Sequence, residues 1–356
     1  MIIKTASLML MLSIILGMAV TNRSPQAGSP EIFKISRDTI HVNIDGTLSK
    51  ALLIHDKYYA FYEVRDPMSS LSIKKFYIIE KSGKIEKEIT VPEGIYHDTY
   101  YTLYFRHGLI IVNTESYKST YYLDEDKGEF VKSREFIKVP LFENENCQIT
   151  SECHGEFGST IYFKNKLTSI TDSVNWGCPF VVNKLGDKYF VNTSDMMVHD
   201  IIEIKDPIKV EAGTKNTGSA LATRAIFSNE GFDTHFYIPT SFVTKGILYH
   251  IYNSYNEFPF KLDEKKERVV ITKDSVKIGT INNGEFKPVF KFKDKFDIGL
   301  QQQLSPDYQI CTFHTENRIQ IGFKKDIPPY REAKYGLIEI MGNEIKIHYF
   351  ISKKAV

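Results

Sequence analysis

Residues 153–205 read CHGEFGSTIYFKNKLTSITDSVNWGCPFVVNKLGDKYFVNTSDMMVHDIIEIK. In the second half of this stretch, the apolar runs FVV (180–182) and YFV (189–191) flank a turn at Gly186 and Asp187, and the run IIEI (201–204) follows. Short β-branched and aromatic runs separated by turn residues are typical of β-strands. The stretch therefore predicts a hairpin followed by a further strand.

The same unit of apolar run, turn and apolar run recurs along the chain. Its other copies lie at residues 51–62, 76–91, 101–112, 120–131 and 241–252, with 276–278 and 286 after them, and a last copy combines 310–313, 319–321, 337–340 and 345–347. Two hairpins recur roughly every 45 to 60 residues, which is the spacing of propeller blades. No segment after the N-terminus keeps an apolar 3.6-residue period over four turns, so we expect few and short helices.

These observations predict an all-β protein, a β-propeller of six or seven four-stranded blades. A four-stranded sheet of this size cannot bury both faces alone, and a ring of stacked sheets solves that problem. A pair of β-sandwich domains is the alternative, because it would show the same turn spacing.

The N-terminus indicates export. Residues 1–19 combine Lys4 with an uncharged apolar run and small residues at Gly17 and Ala19, which is the pattern of a signal peptide. Residues 20–31 are expected to be a polar tether and residues 32–356 a single propeller domain. Retention of the apolar run as a membrane anchor is the alternative, although the run is short for a span. We expect a periplasmic or extracellular protein with no membrane span once the leader is removed.

The charge balance limits the classes of partner. The chain has 45 basic and 44 acidic residues, so no overall field favours nucleic acid or an anionic membrane. We expect no nucleic-acid partner.

Three segments of the sequence resemble those of a known group of proteins. The segments GEFGSTIYFKNK (155–166), CPFVVNKLGDKYFV (178–191) and IIEIKDP (201–207) look like those of exported bacterial proteins with six- or seven-bladed β-propellers and no characterised function. The resemblance implies a propeller fold and a secreted, cell-envelope setting. It implies no activity and assigns no catalytic residue.

Common catalytic and cofactor motifs are missing from the sequence. There is no phosphate-binding loop, no G-x-S-x-G elbow and no H-E-x-x-H pair. The four cysteines, at 147, 153, 178 and 311, do not have the paired spacing of a structural zinc site. We expect no cofactor and no metal.

Polar residues in the opening stretch form the candidate ligand-binding site. They are His154, Glu156, Trp176, Asp195, His199 and Asp200. Imidazole and carboxylate groups brought together could bind a divalent cation or act as acid and base, and Trp176 offers a flat face on which a sugar could stack. The competing interpretation is structural: solvated strand positions, aspartates that hold turns, and a core tryptophan. Residues 96–101, YHDTYY, are a second polar and aromatic group that also suits a loop leading into a strand.

The sequence also predicts a disulfide between Cys153 and Cys178. Residues 159–163 and 169–174 look like two arms of a hairpin turning between Asn165 and Lys166, and the two cysteines are equally far from that turn. They would face each other across an antiparallel pair. A local bridge from Cys147 to Cys153 and unpaired thiols are the alternatives.

Two classes of function remain open from the sequence. The first is a ligand-binding or scaffold protein that holds a glycan, a peptide or an envelope protein on the loop face of the propeller. The second is a secreted carbohydrate-active hydrolase or lyase at the propeller mouth, which would need two carboxylates about 5 to 10 Å apart. The absence of a recognisable nucleophile favours the first class.

Overall fold

The computed structural model describes residues 32–352 except 45, 66–71, 99, 155–157, 196–197, 206–222, 230–233, 257–259, 264–267, 272–274, 294–296, 299–301, 306–307, 315–319 and 322–334. The chain divides into two units, Met1–Lys34 and Ile35–Val356. The expected signal peptide (1–19) and tether (20–31) lie outside the described residues. The description below concerns the second unit.

Five antiparallel sheets of four strands each follow one another along the chain. Blade 1 contains β2 (Thr47–Ile54), β3 (Lys57–Arg65), β4 (Ser72–Glu80) and β5 (Ile85–Ile89); blade 2 contains β6 (Tyr101–Arg106), β7 (Leu109–Thr114), β8 (Ser119–Asp124) and β9 (Glu129–Lys132). Blade 3 contains β10 (Phe142–Glu143), β11 (Cys147–Cys153), β12 (Ser159–Asn165) and β13 (Thr171–Trp176); blade 4 contains β14 (Cys178–Leu185), β15 (Lys188–Asp195), β16 (Val198–Lys205) and β17 (Thr223–Ser228). Blade 5 contains β18 (Thr234–Thr244), β19 (Ile247–Asn256), β22 (Lys277–Asn282) and β23 (Glu285–Lys291).

The sixth sheet joins the two ends of the described chain. In blade 6 the strand order is β1 (Lys34–Val42), β29 (Glu344–Ser352), β28 (Tyr335–Met341) and β26 (Tyr308–His314), and β24 (Asp297–Ile298) and β25 (Gln302–Ser305) pair with β26. The six blades form a ring, which confirms the predicted fold class with six blades rather than seven and excludes the two-sandwich alternative. The described part of the chain has one short helix, α1 (Glu93–Tyr96).

The hydrophobic core lies in the seams between blades. One cluster combines Leu52 and Phe61 of blade 1 with Leu103 of blade 2, and another combines Ile161 of blade 3 with Ile202 of blade 4. Strand residues alternate between the two faces of a blade, so each blade buries one set of side chains against each neighbour. Burying a side chain of this size stabilises the fold by about 1.5 to 3 kcal/mol.

Two predicted hairpin turns, at 55–56 and 107–108, are confirmed by the backbone angles. His107 and Gly108, between β6 and β7, have φ angles of 51° and 77°. A two-residue turn with both φ angles positive matches the twist of the strands that it connects. The same geometry at His55 and Asp56 (φ 48° and 63°) connects β2 to β3.

The last predicted repeat was partly wrong. Residues 319–321 were expected within the last copy, but the structure places Gln320–Ile321 (β27) in a separate sheet with β20 (Phe260–Asp263) and β21 (Arg268–Ile271). The reason is that β26 pairs directly with β28 along seven residues, from Tyr308↔Met341 to His314↔Tyr335. The segment between these strands is thereby left to pair with an insertion from blade 5.

Candidate functional site

Topology places the predicted site residues at one end of the ring. Corresponding strands of propeller blades run in the same direction, so first strands begin, second strands end, third strands begin and fourth strands end on the same side. We call this side the upper rim. Trp176 ends β13, Asp195 ends β15, His199 and Asp200 lie near the start of β16, and His154 directly follows β11.

Trp176 and Asp200 meet across the seam between blades 3 and 4. The indole Nε1–H of Trp176 donates a hydrogen bond of 2.7 Å to Oδ2 of Asp200. The half-buried indole also packs against the hydrophobic cluster of this seam. Because the indole is held at its nitrogen and along its ring, its orientation at the rim is fixed.

The second carboxylate oxygen of Asp200 lacks a hydrogen-bond partner. Oδ1 of Asp200 is buried and has no partner within the described part of the chain. Thr193 is the cross-strand neighbour of Asp200, and its Oγ1, on a side chain only 1% exposed, is likewise unpaired among the described residues. Cross-strand neighbours project on the same face of a sheet. Two buried oxygen atoms on this face of blade 4 therefore lack a hydrogen-bond partner in the described chain, and a buried unpaired polar atom costs about 1 to 3 kcal/mol.

Gly177 connects blades 3 and 4 next to Thr193. It is the one residue between β13 and β14, and a Cβ added there would lie 3.4 Å from both Cβ and Oγ1 of Thr193. The carbonyl of Gly177 accepts a hydrogen bond of 3.0 Å from Ser159 Oγ. The chain thus passes from blade 3 to blade 4 in a single step directly beside the indole.

His199 faces away from this pair. It follows Val198 on β16 and precedes Asp200, so its side chain lies on the opposite face, between the rings of Phe180 and Tyr237 at centroid distances of 6.1 and 5.0 Å. Burial lowers the pKa of His199 to about 4, partly opposed by the charge of Asp200. His199 is therefore neutral at pH 7 and belongs to the seam between blades 4 and 5.

The other three predicted residues, His154, Glu156 and Asp195, have no described side-chain contact with Trp176 or Asp200. His154 is exposed, and its backbone N–H donates to Gly158 O at 2.9 Å. Glu156 lies outside the described residues. The Cα of Asp195 pairs with that of Val198 in the β15–β16 ladder, and its side chain is not described. Of the six predicted residues, the structure brings Trp176 and Asp200 into direct contact.

A disulfide joins Cys153 to Cys178, with their Cα atoms 5.2 Å apart. The two cysteines do not face each other across a hairpin, as we expected from the sequence. Lys164 pairs with Thr171, so the β12–β13 hairpin turns beyond Asn165 and Lys166, and neither cysteine lies on it. Cys153 ends β11 in blade 3, and Cys178 begins β14 in blade 4. The bridge therefore crosses the same seam as the Trp176–Asp200 hydrogen bond. Cys147 and Cys311 are buried thiols.

A buried polar network was missed by the sequence analysis. Ser241 Oγ accepts a hydrogen bond of 2.7 Å from Asn192 Nδ2 and lies 2.6 Å from His250 Nδ1, joining blades 4 and 5. Burial lowers the pKa of His250 to about 3, so the imidazole is neutral and a weak base. Serine and histidine in this arrangement resemble a nucleophile and its base, but the two residues are 0% and 1% exposed. Their hydrogen bonds connect blade 4 to blade 5.

Side chains and strands of blades that are not neighbours meet near the centre of the ring. Gln309 Nε2 of blade 6 lies 3.4 Å from Asn183 Oδ1 of blade 4, although blade 5 separates these two blades in the ring. Strand β25 of blade 6 also lies against β6 of blade 2. Blades that are not neighbours can meet only near the axis, so the two contacts partly fill the channel.

The second polar and aromatic group, at 96–101, has a structural aspartate. Asp98 is fully buried and accepts hydrogen bonds from the backbone N–H of Tyr100 (2.7 Å) and from the backbone N–H and Oγ of Ser116 (2.9 Å each). It ties two loops of blade 2 together at the upper rim. Tyr100, which it positions, is 72% exposed.

Within the described ranges, no three His, Cys, Asp or Glu side chains lie close enough together to hold a metal ion. The short helix of the described chain is neither long nor apolar enough to cross a bilayer.

No protein-family model matches the chain, and no curated protein matches its sequence. Solved structures of similar fold include hydrazine synthase from Kuenenia stuttgartiensis (10% identity, covering 85% of this chain and 76% of that one, TM-score 0.39). Others are BamB from Moraxella catarrhalis (9%, 80% and 91%, 0.32) and the β-propeller domain of Swd1 from Myceliophteria thermophila (9%, 75% and 94%, 0.36). At these identities the similarity concerns the fold alone.

Proposed function

We propose that the protein is an exported ligand-binding propeller of the cell envelope, and that it holds a glycan at the seam between blades 3 and 4. The observation that carries the proposal is the Trp176–Asp200 pair: a fixed indole beside a carboxylate whose second oxygen has no partner in the described chain. The apolar face of a sugar ring stacks on an indole, and its hydroxyl groups donate to carboxylates. Because Oδ1 of Asp200 is buried, a water between this oxygen and a ligand hydroxyl would satisfy it.

Two independent features support export. The first 19 residues have the pattern of a signal peptide, and disulfides such as Cys153–Cys178 persist in oxidising compartments.

A glycan array probed with the purified, oxidised chain tests the proposal. We expect binding that falls about tenfold or more in Trp176→Ala, because a lost stacking contact of about 1.4 kcal/mol is a factor of ten. Trp176→Phe should fall between Trp176→Ala and the wild type, since it retains a ring but loses the donor to Asp200. Tyr100→Ala is the matched control, because it removes an exposed aromatic ring of the same rim in blade 2.

The same experiment separates the competing functions. Glycan binding that is unchanged in Trp176→Ala would exclude this seam as the site. Binding to a peptide array in place of the glycan array would favour a peptide or protein partner. Release of reducing ends from a bound glycan would favour the hydrolase or lyase alternative.

A further inference from the structure

We propose that the Cys153–Cys178 disulfide is a redox lock on the Trp176 platform. When the bridge is formed, it holds the upper rim of the seam between blades 3 and 4 closed. When a dithiol reduces it, the indole separates from Asp200 while the ring of blades stays folded. The consequence for ligand binding rests on the proposed function; the lock itself rests on the position of the bridge.

The bridge and the platform share one point of the chain. Trp176 ends β13, Gly177 crosses to the next blade, and Cys178 begins β14. The partner, Cys153, ends β11 in blade 3. The distance between Trp176 on blade 3 and Asp200 on blade 4 depends on how these two blades meet at the rim. The main chain links the blades there at Gly177, and the disulfide adds a second covalent link, from Cys153 at the end of β11.

Contacts deeper in the seam do not depend on the bridge. Ile149 and Ile161 of blade 3 pack in one cluster with Val182 and Ile202 of blade 4, and all four are fully buried. This core keeps the blades stacked when the rim opens. Reduction is therefore expected to be a local opening rather than unfolding.

The bridge is also the sulfur group that a reductant reaches first. Cys153 is exposed and Cys178 is half-buried, whereas Cys147 and Cys311 are each 0% exposed. Burial raises the pKa of the Cys311 thiol to about 12, which keeps it unreactive. Thiol exchange at this protein is thus confined to the rim.

The chemistry needs one dithiol. A thiolate of the reductant attacks Sγ of Cys153, forms a mixed disulfide and releases the thiolate of Cys178. The second thiol of the reductant then attacks the reductant sulfur of the mixed disulfide and releases the thiolate of Cys153. Two electrons and two protons pass to the cysteines, and the reductant leaves as a cyclic disulfide.

Fluorescence of the purified full chain tests the lock, because Trp176 is the one tryptophan in the sequence. On addition of dithiothreitol we expect emission to shift to longer wavelength and acrylamide quenching to increase about twofold, as for a locally opened site. The far-UV circular dichroism should be unchanged. The double variant Cys153→Ala/Cys178→Ala should show the reduced signal from the start and should not respond to dithiothreitol.

Other results would overturn the lock. Identical emission and quenching in both redox states would mean that the platform does not depend on the bridge. Loss of the sheet signal on reduction would mean that the bridge supports the whole fold. If the oxidised chain binds a glycan and the reduced chain binds it equally well, the regulation is excluded and the proposed function stands. If the oxidised chain binds no glycan, the proposed function fails, and the fluorescence still decides the lock.

Discussion

The seam between blades 3 and 4 and the seam between blades 6 and 1 are held in different ways. The first has a covalent bridge and the Trp176–Asp200 hydrogen bond at its rim. The second contains a chain of hydrogen bonds. Tyr58 OH of blade 1 lies 3.0 Å from Nδ1 of the fully buried His348 of blade 6, and His348 Nε2 lies 3.0 Å from Oε2 of the half-buried Glu339 in the same blade. One seam should therefore respond to thiols and the other to acid.

The largest effect is expected from removing the strand that closes the ring. Deletion of residues 1–42 removes β1, including Ile40 and Val42, which are 4% and 2% exposed. We expect a loss of more than about 5 kcal/mol, comparable with the stability of a typical domain. Urea unfolding followed by circular dichroism measures it. Deletion of residues 1–31, which leaves β1 intact, is the control, and equal stability of the two deletions would show that β1 does not close the ring.

The next largest effect is expected at the disulfide. Cys153→Ala/Cys178→Ala should lower the free energy of unfolding by about 3 kcal/mol, because the bridge closes a loop of 25 residues. Urea unfolding with and without dithiothreitol measures this, and the reductant should change the wild type alone. Non-reducing peptide mapping in which Cys153 is fully accessible to a thiol reagent after denaturation would contradict the bridge itself.

Tyr58→Phe should have a smaller effect at the other seam. It leaves Nδ1 of the fully buried His348 without its hydroxyl partner, which costs about 1 to 3 kcal/mol. Thermal or urea unfolding measures the change. Tyr117→Phe, at a 56% exposed tyrosine, is the control and should be close to neutral. If the two variants are equally stable, the hydrogen-bond chain does not contribute to closure.

The smallest expected effect is the pH dependence of the closing seam. Burial alone would raise the pKa of the Glu339 carboxyl, but its hydrogen bond with His348 brings the net pKa below the ordinary value. A carboxyl with a lowered pKa in the folded state stabilises the fold above the unfolded pKa, and that stabilisation is lost as pH falls through the folded pKa.

The difference in stability between the wild type and Glu339→Gln should therefore be constant at neutral pH and shrink below about pH 4, where free glutamate takes up its proton. Urea unfolding at a series of pH values measures it. A difference that grows on acidification would show that Glu339 does not stabilise the seam as a carboxylate.

Local features of the fold were predictable from the sequence. The strands and hairpins at 51–62 and 101–112 follow from alternating apolar runs and from turn residues such as His107 and Gly108, whose backbone angles depend on near neighbours. The site was less predictable. His199 and Asp200 are adjacent in the sequence, and the sequence placed both in one site. In β16 their side chains lie on opposite faces of blade 4, so Asp200 contacts blade 3 and His199 contacts blade 5.

The sequence by itself determined the fold class, because strand periodicity and turn chemistry are encoded within about ten residues. Only the tertiary structure decided which distant residues meet. Ser241 contacts Asn192 across 49 positions, and Tyr58 contacts His348 across 290. Cys153 reaches Cys178 across a seam rather than across a hairpin. Such contacts depend on how twisted sheets stack around the ring, and side-chain packing between blades sets that stacking.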